Sequence, residues 1–421
     1  MRHRSWPGAS QRGCTAVLSS ALLTCAIAFG PVAPAAHADP GSPSGPESCA
    51  NRQAPPSADV PSEEPAPGES APEPLPVPEE PVGGERMAEC GVVLPDGAPD
   101  PPEEATASAW MVSDLESGDV LAASDPHGRH RPASLIKVLL AATVIDEVDP
   151  DEVVTATEED VAQVCTCVGL VEGEDYTVED LLTAALIHSG NDAAHALGNA
   201  LGGIPEALDA MNTLAERLQA FDTRAATTSG LDGPGMSSSA YDLSVIFRYA
   251  LGQAPFNEAV RTSTMDFSVE PDEEPVTLYN DNRLLNSYEG FLGGKTGYTN
   301  AARHTYLGAA QREHATVAVV LLHAEARPIP VPEQASALLD YGFDLAEGDY
   351  DAVGQLASVT RPESEPDVAV QEGAQPPHDD DATSASGAGS ALGPVIATVV
   401  ALLALLGIIA LRRENKQVPR R

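Results

Sequence analysis

Two short apolar runs, residues 110–115 and 120–124, flank the polar stretch Glu116-Ser117-Gly118-Asp119 and predict a β-hairpin. A second pair, 305–310 and 316–322, brackets Gln311-Arg312-Glu313 and predicts another. Between the pairs the apolar spacing changes to that of helices. Segments 134–146, 178–187, 205–218 and 241–251 read as helical, two of them behind the capping patterns Thr177-x-x-Asp180 and Ser239-x-x-Asp242. Strands at both ends enclosing mostly helix predict an α+β fold, in which an antiparallel sheet built from the two ends of the folded region packs against helices. No internal repeat is visible, and the folded stretch, taken as 89–350, suffices for one large domain.

The apolar pattern also marks both ends of the chain. Residues 15–29 follow Arg2, Arg4 and Arg12 and precede Ala36-His37-Ala38, the order of a secretory leader cleaved after Ala38, so 1–38 are read as removed on export. Residues 391–411 carry no charge. As a helix they would reach about 31 Å, against a bilayer core of about 30 Å. Arg412, Arg413, Lys416, Arg420 and Arg421 follow, which predicts a single-pass anchor with 412–421 in the cytoplasm and the folded region outside the cell.

Composition adds limits. A formal charge of −40 excludes nucleic acid as a natural partner. Residues 39–88 hold 13 prolines and ten acids, and 347–381 hold ten acids against Arg361 alone; 39–88 and 351–390 are read as solvated linkers. Cys14 and Cys25 leave with the leader, so the exported chain keeps Cys49, Cys90, Cys165 and Cys167. An even count outside the cell permits disulfides in three connectivities, with Cys49–Cys90 preferred because the two flank the proline-rich segment. Cys165 and Cys167 either close a small ring or stay as thiols. No second C-x-x-C and no histidine pair at ligand spacing are present, so neither metal nor cofactor is expected.

Only three lysines occur, and two sit in chemically suggestive company. In Ser134-Leu135-Ile136-Lys137, positions three apart share a helix face, which places an amine beside a hydroxyl. An amine among apolar neighbours can lose its charge and serve as the base that a serine nucleophile requires. Ser189-Gly190-Asn191 closes a predicted helix and offers a hydroxyl for proton relay and an amide for holding a peptide. Gly293-Gly294-Lys295-Thr296-Gly297-Tyr298 combines small residues, which admit a substrate backbone, with a charge and a hydroxyl suited to a carboxylate. Alone, each has a plain structural explanation: a helix cap, an interhelix turn, a glycine-rich surface turn. His188 and His195 are read as packing or surface residues. In the order S-x-x-K, S-x-N, K-T-G, the three motifs are the signature of penicillin-interacting serine acyltransferases.

With the segments 131–137, 188–194, 229–232, 240–243 and 294–299, the chain resembles the low-molecular-weight D-alanyl-D-alanine carboxypeptidases, above all the membrane-anchored members of actinobacteria. The resemblance implies the serine β-lactamase and DD-peptidase fold, with the site between sheet and helices. It implies Ser134 as the acylated nucleophile, Lys137 as its base, Ser189 as proton relay and Asn191 as substrate clamp. Lys295 and Thr296 would hold the substrate end, and the backbone N–H groups of Ser134 and Tyr298 would form the oxyanion hole. Arg327 is a weaker candidate for the terminal carboxylate. The implied partners are peptidoglycan stem peptides, β-lactams as covalent inhibitors and the membrane. The best-known members often carry a second β-rich domain and an amphipathic surface helix; here an acidic segment leads to the apolar run instead.

Two other functions use the same fold. A class A-like β-lactamase should show Glu-x-x-Leu-Asn after its second motif to activate the deacylating water, and no such element follows Asn191. A non-catalytic penicillin-sensing receptor would need a signalling partner inside the cell, and only ten residues follow Leu411, whereas an inert wall-binding module would not need all three motifs.

Overall fold

The computed structural model describes residues 49–358, except 66, 69, 271, 272 and 314; the predicted leader, the 391–411 run and the acidic segment from 359 onward lie outside the described residues. Among the described residues no helix is long and apolar enough to cross a membrane.

The main sheet has seven strands. Six run in the order β1 (Val92–Val93), β3 (Asp119–Ser124), β2 (Ala109–Asp114), β10 (Ala315–Ala324), β9 (Arg303–Arg312), β8 (Phe291–Thr299), and β11 (Gly354–Gln355) also pairs with β3. Every pairing is antiparallel. The two predicted hairpins are β2–β3 and β9–β10. They are joined at the sheet centre by β2 and β10, in register from Val317↔Asp114 to Leu322↔Ala109, so the ends of the folded region meet there.

Strand β10 is apolar without alternation because both of its faces are covered. Ala318, Val320 and Leu322 enter a core shared with the helical region, whereas Val317, Val319 and Leu321 face Leu338 and Leu339 of α8 (Val331–Glu347). That helix was not predicted. Gly342 in its body weakens its sequence signal, and its stability comes from the sheet face it covers.

On the other face, α1 (Ile136–Glu147) is the hub, buried from Ile136 through Val144. Around it stand α3 (Val178–Ile187), α4 (Asn191–Ala200), α5 (Ile204–Arg217), α6 (Ala240–Leu251) and α7 (Ala254–Arg261), with the single turn α2 (Glu158–Val161). Two small hairpins, β4 (Val153–Thr155) with β5 (Asp175–Thr177) and β6 (Thr264–Phe267) with β7 (Val276–Tyr279), complete the region. Thr177 and Ser239 do cap α3 and α6, each accepting from the N–H three residues on. Asp242, however, turns its carboxylate to the Asp222 N–H and the Thr223 hydroxyl.

The segment expected to be a solvated linker departs most from its sequence reading. From Cys49 to Ala88 it lies along the domain, tied by the Cys49–Cys90 disulfide. Arg129 donates to the carbonyls of Gln53, Leu75 and Pro76, Arg131 donates to that of Pro56 and pairs with Glu63, and Arg52 pairs with Asp222 at 2.8 Å. A proline-rich chain cannot form a ladder, so its carbonyls stay available, and buried guanidinium forks take them up. Composition measures apolar surface and misses this contribution.

Candidate active site

Ser134 lies in a single 3₁₀ turn, Ala133–Leu135, immediately before α1. Ala133 has φ of +50°, a conformation that turns the chain sharply ahead of the serine. Its neighbours are buried while Ser134 is partly exposed, so a hydroxyl faces solvent from the first turn of a core helix. Lys137, 1 % exposed, extends along the helix to place Nζ 3.1 Å from Ser134 Oγ.

The remaining contacts of this amine define its chemistry. Nζ donates to Asn191 Oδ1 at 2.8 Å and to the Ser229 carbonyl at 2.6 Å, and neither group can donate in return. A neutral amine has two hydrogens and one lone pair. With both hydrogens taken, the lone pair is left for the Ser134 hydroxyl. Burial, and then the charge of nearby Lys295, push the Lys137 amine well below its ordinary range, partly opposed by Asp192.

Ser189 sits in the turn between α3 and α4 with φ of +63°, and its Oγ accepts from Lys295 Nζ at 2.9 Å. The motif thus reverses the chain at its serine and not at its glycine; Gly190 is the N-cap of α4 and Asn191 its first residue. Lys295 also donates to the Thr296 carbonyl at 2.8 Å, and burial brings it down to about 8. It therefore stays largely cationic at neutral pH.

The K-T-G motif is not in a turn. It lies inside β8, at the edge of the sheet, where among the described residues one row of N–H and C=O groups has no strand partner and can pair with an extended peptide. Gly297 faces the nucleophile: a Cβ there would lie 2.9 Å from the Ser134 nitrogen and 2.4 Å from Thr305 Oγ1. Thr305 in turn donates to the Pro132 carbonyl at 2.9 Å, fastening β9 to the nucleophile turn. Thr296 is partly exposed, and Tyr298, 49 % exposed, lies against His304 with ring centroids 4.6 Å apart and the rings tilted by 43°.

Hydrogen bonds thus link Ser134, Lys137 and Asn191 in one set and Ser189 and Lys295 in another, with Thr296 and Tyr298 flanking on β8. Arg327 is exposed beyond β10, and no hydrogen bond or ion pair among the described residues joins it to the site. The Ser229 carbonyl was missed as a partner of Lys137, because every residue has a carbonyl and only folding selects one. His195 pairs with Asp160 at 2.6 Å, and His188 caps α3. His127, Asp222 and Asp242 bring their ligand atoms within 4.8 Å of one another, yet Asp222 is already paired with Arg52 and Arg129. That is an ion-pair network, whose cations oppose a metal ion.

Residues 96–326 match the profile of the D-alanyl-D-alanine carboxypeptidase family, peptidase family S11. The chain belongs to this family. Over 259 residues it is 42 % identical to the D-alanyl-D-alanine carboxypeptidase DacB2 of Mycobacterium tuberculosis, covering 60 % of this chain and 85 % of that one. DacD of Salmonella typhimurium is 32 % identical over 58 % of this chain and 64 % of its own length. Among solved structures, a D-alanyl-D-alanine carboxypeptidase of M. tuberculosis H37Rv superposes with a TM-score of 0.60 at 40 % identity, over 63 % of this chain and all of that one. The DD-transpeptidase of Streptomyces K15 superposes at 0.55 with 25 % identity, over 58 % of this chain and all of its own. All three motifs fall within the matched residues 96–326.

Proposed function

We propose that the protein is a serine-type D-Ala-D-Ala carboxypeptidase that removes the terminal D-alanine of peptidoglycan stem peptides, and that β-lactams acylate the same serine. The observation that carries this reading is the buried Lys137 amine, 3.1 Å from Ser134 Oγ and held there by the Asn191 Oδ1 and Ser229 carbonyl acceptors. Nζ takes the Ser134 proton as Oγ attacks the carbonyl carbon of the penultimate D-alanine. The developing oxyanion is received by the N–H groups of Ser134 and Tyr298, each such donor being worth about 3 kcal/mol in the transition state. Ser189 passes its hydroxyl proton to the departing amine and recovers one from Lys295, to which it is hydrogen-bonded, while the proton that Lys137 took from Ser134 keeps the total charge of the two lysines unchanged. Water then enters where D-alanine left, loses its proton to the same relay and releases the shortened peptide, which restores Ser134. Asn191 holds the acyl amide, and Lys295 with Thr296 holds the terminal carboxylate.

A fluorescent penicillin should label the protein covalently on the peptide containing Ser134. Ser134→Ala should abolish both label and peptidase activity, and label retained in that variant would refute the assignment. The missing Glu-x-x-Leu-Asn element supports the carboxypeptidase over a β-lactamase. The leader pattern and the charge-free 391–411 run with its trailing arginines support an exported, single-pass enzyme on the cell-wall side of the membrane.

A further inference from the structure

Asn191 is oriented by a loop to which no role has yet been given, residues 163–170. Its backbone N–H donates to the Thr166 carbonyl at 2.8 Å, and its side-chain amide donates to the Val164 carbonyl at 2.5 Å. These two carbonyls alternate along the chain with Cys165 and Cys167, whose sulfurs are joined. The carbonyl carbon of Thr166 is thereby a member of the closed ring.

The two halves of the loop are held differently. On the C-terminal side the N–H groups of Val168, Gly169 and Leu170 converge on the Asp192 carboxylate at 2.8–3.2 Å, and Val168 packs so near Gly190 that a Cβ there would lie 2.7 Å from its Cγ1. On the other side Val164, Cys165 and Thr166 are exposed, Val164 by 68 %. Among the described residues no hydrogen bond restrains the backbone of 164–167 apart from the two that reach Asn191. An exposed peptide with so few restraints would sample many directions for its carbonyls. The bridge removes that freedom where Asn191 depends on it.

We propose that the Cys165–Cys167 bridge is a positioning element of the active site, which fixes the Thr166 and Val164 carbonyls so that Asn191 presents Oδ1 to Lys137 and its second amide hydrogen to the acyl-chain amide of the substrate. This rests on the carboxypeptidase reading of the site. One amide hydrogen goes to Val164 and the carbonyl oxygen to Lys137, which leaves one donor for the substrate. If the ring opens, the first of these contacts loosens and the amide can turn. Both cysteines lie outside the core, so the change acts on the site and not on the hydrophobic packing.

The test is a double-mutant cycle in the full chain, with Cys165→Ser/Cys167→Ser made alone and on an Asn191→Ala background. Read-outs are kcat and KM on a D-Ala-D-Ala peptide, the penicillin acylation rate and Tm. In the otherwise native protein the serine pair should lower kcat/KM and acylation about tenfold, short of the 100-fold that a displacement of about 1 Å can cause. In Asn191→Ala the same change should have almost no effect, because no amide remains to be positioned. Equal losses in both backgrounds, or no loss in either, overturn the proposal. Should the serine pair not fold, a soluble dithiol can be applied to folded protein with and without Asn191→Ala. It gives two electrons and two protons to the bridge and ends as its own disulfide. Cys49–Cys90 is present in both proteins, so only a loss confined to the Asn191 form supports the inference. A wild-type protein that forms no acyl-enzyme would defeat the carboxypeptidase reading itself, whereas an active wild type with an additive cycle defeats this inference alone.

Discussion

Gly297→Ala tests whether close approach of β8 to the nucleophile sets the rate. The new Cβ would sit 2.9 Å from the Ser134 nitrogen and 2.4 Å from Thr305 Oγ1, with Ala133 Cβ at 3.2 Å. Reaching ordinary contact at about 3.4 Å requires opening these gaps by about 0.5 Å and about 1 Å respectively. The Thr305 hydroxyl cannot simply rotate away, because it is bonded to the Pro132 carbonyl. Strand β8 and the Ser134 turn must therefore move apart, and the Ser134 and Tyr298 N–H groups no longer converge on one oxygen. Losing one oxyanion donor removes about 3 kcal/mol, roughly 150-fold in rate. Stopped-flow acylation by a fluorescent penicillin, with kcat/KM on a D-Ala-D-Ala peptide, measures the effect, and Tm checks that the fold persists. Acylation within threefold of wild type would show that the two N–H groups do not act together as proposed.

Lys137→Ala should lose acylation while remaining folded, since the amine acts on a proton; acylation at the wild-type rate would require another base. The pH profile of kcat/KM should be bell-shaped, falling on the acid side as Lys137 gains its proton and on the alkaline side near about 8 as Lys295 loses its own. Lys295→Arg should abolish the alkaline fall, since a guanidinium stays charged throughout, and an unchanged limb would assign it to another group. The penicilloyl-enzyme should outlive the peptide acyl-enzyme, because the penicillin leaving group stays tethered in the path of water. A 100-fold difference in deacylation corresponds to about 2.7 kcal/mol, and equal rates would favour a β-lactamase. Burial raises Asp222, but His127, Arg52 and Arg129 outweigh it and hold the carboxyl at about 2, so the stability it adds is present above the unfolded value and is lost as pH falls through about 2. Arg52→Met should accordingly lower stability at pH 7 by about 2 kcal/mol, less than for a lone buried pair because Arg129 and His127 remain, and an unchanged Tm would show that the N-terminal segment adds nothing.

Sequence alone determined what depends on local spacing. The two hairpins follow from apolar runs around polar turns, the caps of α3 and α6 from Thr177 and Ser239, and the proximity of Ser134 to Lys137 from a separation that any helical turn makes adjacent. Cysteine positions made Cys49–Cys90 the preferred pair, and the structure has it. Strand β8 was hidden because Gly293, Gly294 and Gly297 have no side chains to alternate; the backbone takes its partner from β9 instead. Helix α8 exists as the cover of a sheet face whose two central strands lie some 200 residues apart in the chain. The proline-rich segment looked unable to fold, because composition does not show that Arg52, Arg129 and Arg131 will turn inward to meet its carbonyls. The acidity of Lys137 is likewise a tertiary property. Its motif supplies an amine at the right spacing, but only burial and the Lys295 charge push that amine well below its ordinary range, and only the Asn191 and Ser229 acceptors hold it beside Ser134. Dielectric and charge at a point are sums over the whole fold, and no local pattern contains them.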